Sequence, residues 1–141
     1  MATSGTEGIR PGSGAEDFFA EVEESGTLPR GVDVRDAASG VLCTLALRLT
    51  AGEAGDFFSS LPPGLRTVVQ TCQVHRDTPS QLFGREEFVR KVAHHCGIRE
   101  DQAAPLVRTV LYAVRRRLPE GEVRGVEGQL PKDLKELWLG A

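Results

Sequence analysis

Cysteine and histidine side chains form two short clusters in the middle of the chain, Cys72-x-x-His75 and His94-His95-Cys96. Thiolates and imidazoles are the ligands that zinc prefers, so the clusters raise the question of a metal site. The second cluster argues against one, because helical neighbours such as His94 and His95 point about 100 degrees apart. We therefore predict no metal and no cofactor, with Cys96 half-buried at a helix end and the histidines solvated.

A second group of residues is spaced by three and four along the chain, as on one face of a helix. Its members are Arg108, Tyr112, Arg115 and Arg116. The arginines could hold nucleic-acid phosphates while the tyrosine stacks on a base. They could instead dock an acidic protein partner. A plain solvated helix face is the third interpretation.

No catalytic pattern accompanies these groups. The sequence lacks a nucleophile with a base, a phosphate-binding glycine loop and paired helical carboxylates in their usual contexts. We therefore predict that the protein is not an enzyme and has no catalytic residues.

The part of the sequence that carries the candidate residues forms an internal repeat of two copies. At an offset of 69, seven of the 19 positions from Arg48 to Arg66 are identical to their downstream matches, where chance would give about one. Upstream the offset becomes 70. The sequence predicts a flexible leader over residues 1–13, a linker over 71–83, and two helical repeats, 14–70 and 84–139.

Each repeat is predicted to contain four helices, of which the second is the longest. Residues 102–118 are amphipathic and carry the arginine stripe, whereas residues 34–49 are apolar or small nearly all round. A helix without a polar face is usually buried. We expect residues 34–49 at the centre, covered by the other repeat or by a second chain, and the arginine helix outside.

Short motifs predict how the later helices begin and end. Thr50-Ala-Gly-Glu53 has the pattern of a capping box, and Pro119 replaces Thr50 in the second repeat. Leu61-Pro62 and Leu130-Pro131 predict a corner between the third and fourth helices, because proline disfavours helical geometry in the residue before it.

Two apolar residues of the first repeat stand where the second repeat is charged: Phe58 matches Glu127, and Leu47 matches Arg116. An apolar side chain at such a position either packs between the repeats or forms an exposed anchor for another protein. Leu47 and Phe58 are therefore candidate partner-binding residues, beside the arginine stripe.

Composition limits the classes of partner. A net charge of -3 gives no general attraction to phosphate backbones or anionic lipids, which disfavours nucleic acid and membranes. No run approaches the roughly 18 apolar residues of a membrane span, and the N-terminus has no secretory signal. Three cysteines, an odd number, fit reduced thiols. A cytoplasmic location is expected.

The order of these motifs is distinctive. A Phe-x-x-x-Val helix, a long Ala/Val/Leu helix that ends in Arg-Leu, a Gly-Glu step and Leu-Pro-x-x-Leu follow one another, with the segment Glu87–Ala93 between the repeats' long helices. In this order the chain resembles the bacterial family called domain of unknown function 2267, over roughly residues 15–139. The resemblance implies an all-helical fold and adds no catalytic residue.

The sequence thus predicts an all-α protein of two tandem four-helix repeats packed with pseudo-twofold symmetry. Its predicted role is that of a non-catalytic protein-interaction or regulatory module. The partner is an unidentified protein, with a homodimer as one version. The alternative is a nucleic-acid-binding protein that uses the local basic helix face.

Overall fold

A computed structural model describes residues 14–70 and 83–140, and in these two segments the chain is all-helical. The predicted leader and the predicted linker up to residue 82 lie outside the described residues. The described part contains eight helices and no strand. They are α1 (Ala15–Glu24), α2 (Val34–Arg48), α3 (Ala51–Ser60), α4 (Pro63–Gln70), α5 (Arg85–Cys96), α6 (Glu100–Arg115), α7 (Glu120–Glu127) and α8 (Lys132–Leu139).

Helix α2 lies at the centre of the fold, as its sequence predicts. Asp33 caps its start by accepting a hydrogen bond from the Arg35 N–H at 2.9 Å. Eleven of its 15 residues are buried, so no stripe of the helix faces water. The helices that surround α2 are α1, α3, α4, α5 and α6. The covering helices therefore include α5 and α6, which come from the second half of the same chain.

Helix α6 is amphipathic but occupies a different range from the predicted 102–118. It begins two residues earlier, because the Gln102 side chain accepts from the Arg99 backbone N–H at 3.0 Å and the acidic residues Glu100 and Asp101 fill the first turn. It ends at Arg115, after which the chain makes a tight turn.

The Leu-Pro steps make the predicted corners. Leu61 is extended at the end of α3, with φ -74 and ψ 151, and α4 follows from Pro63. Leu130 precedes Pro131, which is the cap residue of α8. Both leucines are buried in the core, so each corner also anchors its helix pair.

The start of α3 follows the predicted capping box only in part. The Thr50 hydroxyl accepts from the Glu53 N–H at 3.3 Å, as expected. The Thr50 N–H, however, donates to Gln129 Oε1 at 2.8 Å, so Glu53 does not reach back to it. The Glu53 side chain turns instead towards α7, where its carboxylate lies against Gly125.

The main contacts between helices from the two halves of the chain are α2 with α5, α1 with α6, α2 with α6, and α3 with α7. Within the halves, α1 packs on α2 as α5 packs on α6, and α2 packs on α4 as α6 packs on α8. One hydrophobic cluster runs through both halves and includes Phe18, Phe57, Phe88 and Trp138.

The crossing of α2 and α5 is close at Gly40. A Cβ atom at this position would lie 2.9 Å from His95 Cδ2 and 3.3 Å from Cys96 Sγ. Such separations are shorter than a van der Waals contact between carbon atoms. The absence of a side chain at Gly40 therefore sets the distance between the two helices.

We expect Gly40→Ala to destabilise the protein by about 1–3 kcal/mol, because α5 must move away from α2. Gly55→Ala is the matched control, since a Cβ there would meet nothing within 4 Å and alanine favours the helix interior by about 0.5–1 kcal/mol. Urea unfolding measures both. Equal stability of the Gly40 variant and the unmodified chain would contradict the close crossing.

Candidate interaction groove

The four residues of the predicted basic stripe lie together on the outer part of α6 and at Arg116, the cap residue that follows it. Arg108, Tyr112 and Arg116 are exposed, Arg115 is half-buried, and the Tyr112 side chain is 48% exposed. They share this surface because the opposite face of α6 is apolar and packs into the core through Leu106, Val107, Val110, Leu111 and Val114. The structure thus brings together all four residues that the spacing placed on one face.

An open groove of about 790 Å³ runs between α1 and α6 beside this stripe. Its α6 wall carries Arg108, Tyr112 and Arg116, and its α1 wall is acidic. The acidic residues of that wall are Asp17, Glu21 and Glu24.

Tyr112 is flanked by two positive charges. The guanidinium carbon of Arg115 lies 5.4 Å from the centre of the tyrosine ring, and that of Arg116 lies 5.5 Å away. Both distances are in the range of cation–π interactions. The contacts hold an exposed aromatic ring and two cations in one small area.

Glu21 of α1 holds the end of the groove through two arginines of the second half. Its Oε1 accepts from Arg116 Nη1 at 3.0 Å and from Arg117 Nη1 at 2.8 Å. The Arg117 side chain is only 2% exposed, lies 5.8 Å from the Phe18 ring and also donates to the Ala113 carbonyl at 2.8 Å. The buried cation of Arg117 therefore depends on one carboxylate.

Two arginines near the groove keep their charge available. Within residues 14–70 and 83–140, Arg108 and Arg115 form no ion pair with an acidic side chain. Gly140 lines the groove, and the preceding Leu139 is 42% exposed. Tyr112 and Leu139 are the exposed large hydrophobic residues of the described part. Apolar area and unpaired positive charge thus occur close together.

The other two predicted partner-binding residues lie elsewhere and are covered to different degrees. Leu47 is 5% exposed and lies in the second half of α2. Phe58 is half-buried against the core, with its ring centre 5.8 Å from that of the fully buried Phe57. Phe58 is thus neither fully buried nor fully exposed, and its role as an anchor stays a prediction.

The histidine and cysteine residues at the end of α5 occupy ordinary surface and half-buried positions. His94 is exposed, and His95 and Cys96 are half-buried beside α2. Burial, and secondarily the nearby Asp36 carboxylate, raises the pKa of the Cys96 thiol to about 11. Burial also lowers the pKa of His95 below its usual value, against the opposing effect of Asp36. At neutral pH Cys96 is therefore a protonated thiol, which is a poor ligand and nucleophile.

Among the residues that the structure describes, no three His, Cys, Asp or Glu side chains are grouped as a metal site. Cys72 and His75 of the first cluster lie outside those residues. None of the described helices is both long enough and apolar enough to cross a membrane.

Sequence reasoning did not identify Glu21 as part of the groove. It lies in a short first helix whose acidic residues resemble ordinary solvated charges. A signal was present, because the matched position in the second repeat is Lys91, of opposite charge. Lys91 pairs with Glu87 on its own helix, so only the α1–α6 side has the bridge to a buried arginine.

The fold and groove define an all-α protein with a charged cleft between helices from its two halves. The family described as uncharacterized conserved protein (DUF2267) matches residues 15–137. The chain belongs to this family, which confirms the resemblance seen in the order of its motifs. No curated protein matches the chain.

We expect Glu21→Ala to cost about 1–3 kcal/mol of stability. Removal of one partner leaves a buried charge uncompensated, and the value is reduced because the Glu21 side chain is itself 23% exposed. Arg116→Gln is the control, since this exposed partner should contribute less than about 1 kcal/mol. Urea unfolding at low salt compares the two. A Glu21 variant no less stable than the Arg116 variant would contradict the dependence of Arg117 on Glu21.

Proposed function

We propose that this protein is a non-catalytic interaction module that binds an acidic segment of a protein partner in the groove between α1 and α6. The observation that carries the proposal is the exposed Tyr112 ring with the guanidinium groups of both Arg115 and Arg116 beside it. Tyrosine and arginine are enriched among the residues that dominate binding energy at interfaces. Arginine also binds carboxylates through two parallel hydrogen bonds.

The proposal gives each part of the groove a role. Arg108 and Arg115, which have no ion pair in the described part, would receive carboxylates of the partner. Tyr112 and Leu139 would cover an apolar side chain next to those carboxylates. Glu21 would act indirectly, by keeping Arg116 and Arg117 in place.

A protein partner fits the groove better than a nucleic acid does. The α1 wall is acidic, which disfavours a phosphate backbone with its regularly repeated negative charge. An acidic peptide can place its carboxylates on the α6 side alone and present neutral or basic groups to α1. The net charge of -3 also means that the attraction is local.

We further propose that the module arose by duplication, as two four-helix units related by a pseudo-twofold axis. The pattern of helix contacts supports this. Exchange of α1 with α5, α2 with α6 and α3 with α7 converts the α2–α5 contact into the α1–α6 contact, and leaves the α2–α6 and α3–α7 contacts unchanged. The groove lies at one of the two exchanged contacts.

The proposal also includes a cytoplasmic location with reduced thiols, as the odd number of three cysteines suggests. It assigns no catalytic group, and the protonated Cys96 thiol accords with that. A second copy of this acidic chain is one version of the partner, because its own carboxylates could fill the groove.

Selection from a random peptide library displayed on phage tests the proposal. We expect the selected peptides to be rich in Asp and Glu next to an apolar residue. Their affinity should fall about tenfold or more in Tyr112→Ala, the loss of a typical dominant interface residue. Arg115→Glu should reduce the affinity in the same way and weaken its salt dependence.

Arg124→Glu is the matched control, because it makes the same charge change on α7 at an exposed arginine that pairs with Glu120. Its affinity should stay within about twofold of the unmodified chain, as for a rim charge. Equal losses in the Arg115 and Arg124 variants, or peptides without acidic enrichment, would overturn the proposal. Tighter binding of a single-stranded oligonucleotide than of any selected peptide would favour the nucleic-acid alternative.

A further inference from the structure

Two glutamates from the two halves of the chain lie within hydrogen-bonding reach of each other where α3 packs on α7. Glu53 lies on α3 and Glu122 on α7, at positions that match at the repeat offset. The Oε2 atom of each is buried, and in the described part neither accepts a hydrogen bond from an N–H group. A buried carboxylate oxygen without a donor is costly, so the contact requires a compensating group.

Gly125 brings the Glu53 carboxylate close to the α7 backbone. A Cβ atom at Gly125 would lie 3.0 Å from Glu53 Oε2 and 3.1 Å from Oε1. The Glu53 carboxylate thus fills the space that the side chain of any residue other than glycine would need at position 125. The position of Glu53 is therefore fixed by packing and not only by charge.

The charges around the pair do not neutralise it. Asp56, one turn further along α3, adds a third carboxylate that acts on Glu122. Arg66 of α4 donates to carbonyl groups at the end of α3, including Phe58 O at 3.1 Å, and Arg124 of α7 pairs with Glu120. The other charged residues on helices packed against α3 or α7 are Arg35, Asp36 and Arg48 on α2, Glu127 on α7, and Lys132, Asp133, Lys135 and Glu136 on α8. None of the basic ones forms an ion pair with Glu53 or Glu122.

Two carboxylates in contact without a cation cannot both be ionised at low cost. If one is protonated, its O–H group can donate to the other, which satisfies a buried oxygen on each side. We propose that Glu53 and Glu122 share one proton across the α3–α7 contact, and that loss of this proton in mildly alkaline solution loosens the contact. The inference is independent of the groove and of the partner proposed for it.

The electrostatics of the pair agree with this geometry. Burial, then the hydrogen bond to Glu53, then the charges of Glu53 and Asp56, raise the pKa of Glu122 from 4.5 to about 8. The folded protein therefore holds a proton that the unfolded chain has lost. The stabilisation that this proton contributes is fully present below pH 4.5, falls as the pH rises towards 8 and is lost once the folded protein has also released the proton.

Urea unfolding at several pH values between 5 and 9 tests the shared proton, with Glu122→Gln as the variant. Glutamine keeps a donor at the contact at every pH. We expect the urea midpoint of the unmodified chain to fall as the pH rises, and that of Glu122→Gln to change little, so that the variant is the more stable chain at pH 9. Glu120→Gln, an exposed site on the same helix, should retain the pH dependence of the unmodified chain.

Two readouts in the unmodified chain keep the test valid even if the variant folds poorly. Carbon-13 NMR of the glutamate carboxyl groups should show one that titrates near 8. Amide protection from hydrogen exchange, corrected for the intrinsic rate, should drop in α3 and α7 above that pH and stay constant in α2. Parallel pH profiles of the unmodified chain and Glu122→Gln, or glutamates that all titrate near 4.5, would overturn the proposal.

Discussion

The absence of a polar face on α2 is the constraint on which the rest of the structure depends. Residues 34–48 cannot be solvated on any side without exposing Val, Leu, Ala or Cys side chains. The first half of the chain supplies α1, α3 and α4 to cover this helix, and α5 and α6 cover the remainder. The two halves are therefore interdependent, and the chain forms one core that neither half could complete alone.

This dependence determines the positions of the groove and of the glutamate pair. The contact of α2 with α5 is accompanied by a contact of α1 with α6, and the groove lies between these last two helices. The packing of the two halves also brings α3 onto α7, the contact at which Glu53 and Glu122 lie within hydrogen-bonding reach. Glu53 and Glu122 are identical residues at matched positions and form an acidic pair. Glu21 and Lys91 are matched but differ in charge, and Glu21 forms the salt bridge to Arg117.

Local rules predicted much of this architecture. The burial of α2 follows from composition around the helix, the corners follow from the geometry of Leu61 and Leu130 before proline, and the arginine stripe follows from helical spacing. These features depend on residues near one another in sequence. The predicted helix ends are less accurate. The start of α6 depends on a contact between the Gln102 side chain and the Arg99 N–H, which the spacing of apolar residues does not indicate.

The interactions that sequence reasoning missed join residues far apart in the chain. Glu21 and Arg117 are separated by 96 positions, and both look like ordinary surface charges until α1 docks on α6. The sequence predicts a capping box in which Glu53 accepts from the Thr50 N–H. Gln129 takes that hydrogen bond instead, and its position beside Thr50 depends on how α3 packs on α7. Leu47 is a candidate anchor because its match, Arg116, is charged, but its burial depends on the central position of α2, which only the packing of both halves determines.

Hydrogen exchange of the α2 amides at two protein concentrations tests most directly whether this chain covers α2 by itself. The account predicts that these amides are among the slowest to exchange, and that their protection is unchanged when the protein is diluted about tenfold, because the cover is intramolecular. Protection of α2 that falls on dilution would mean that a second chain completes the core, and would contradict the account.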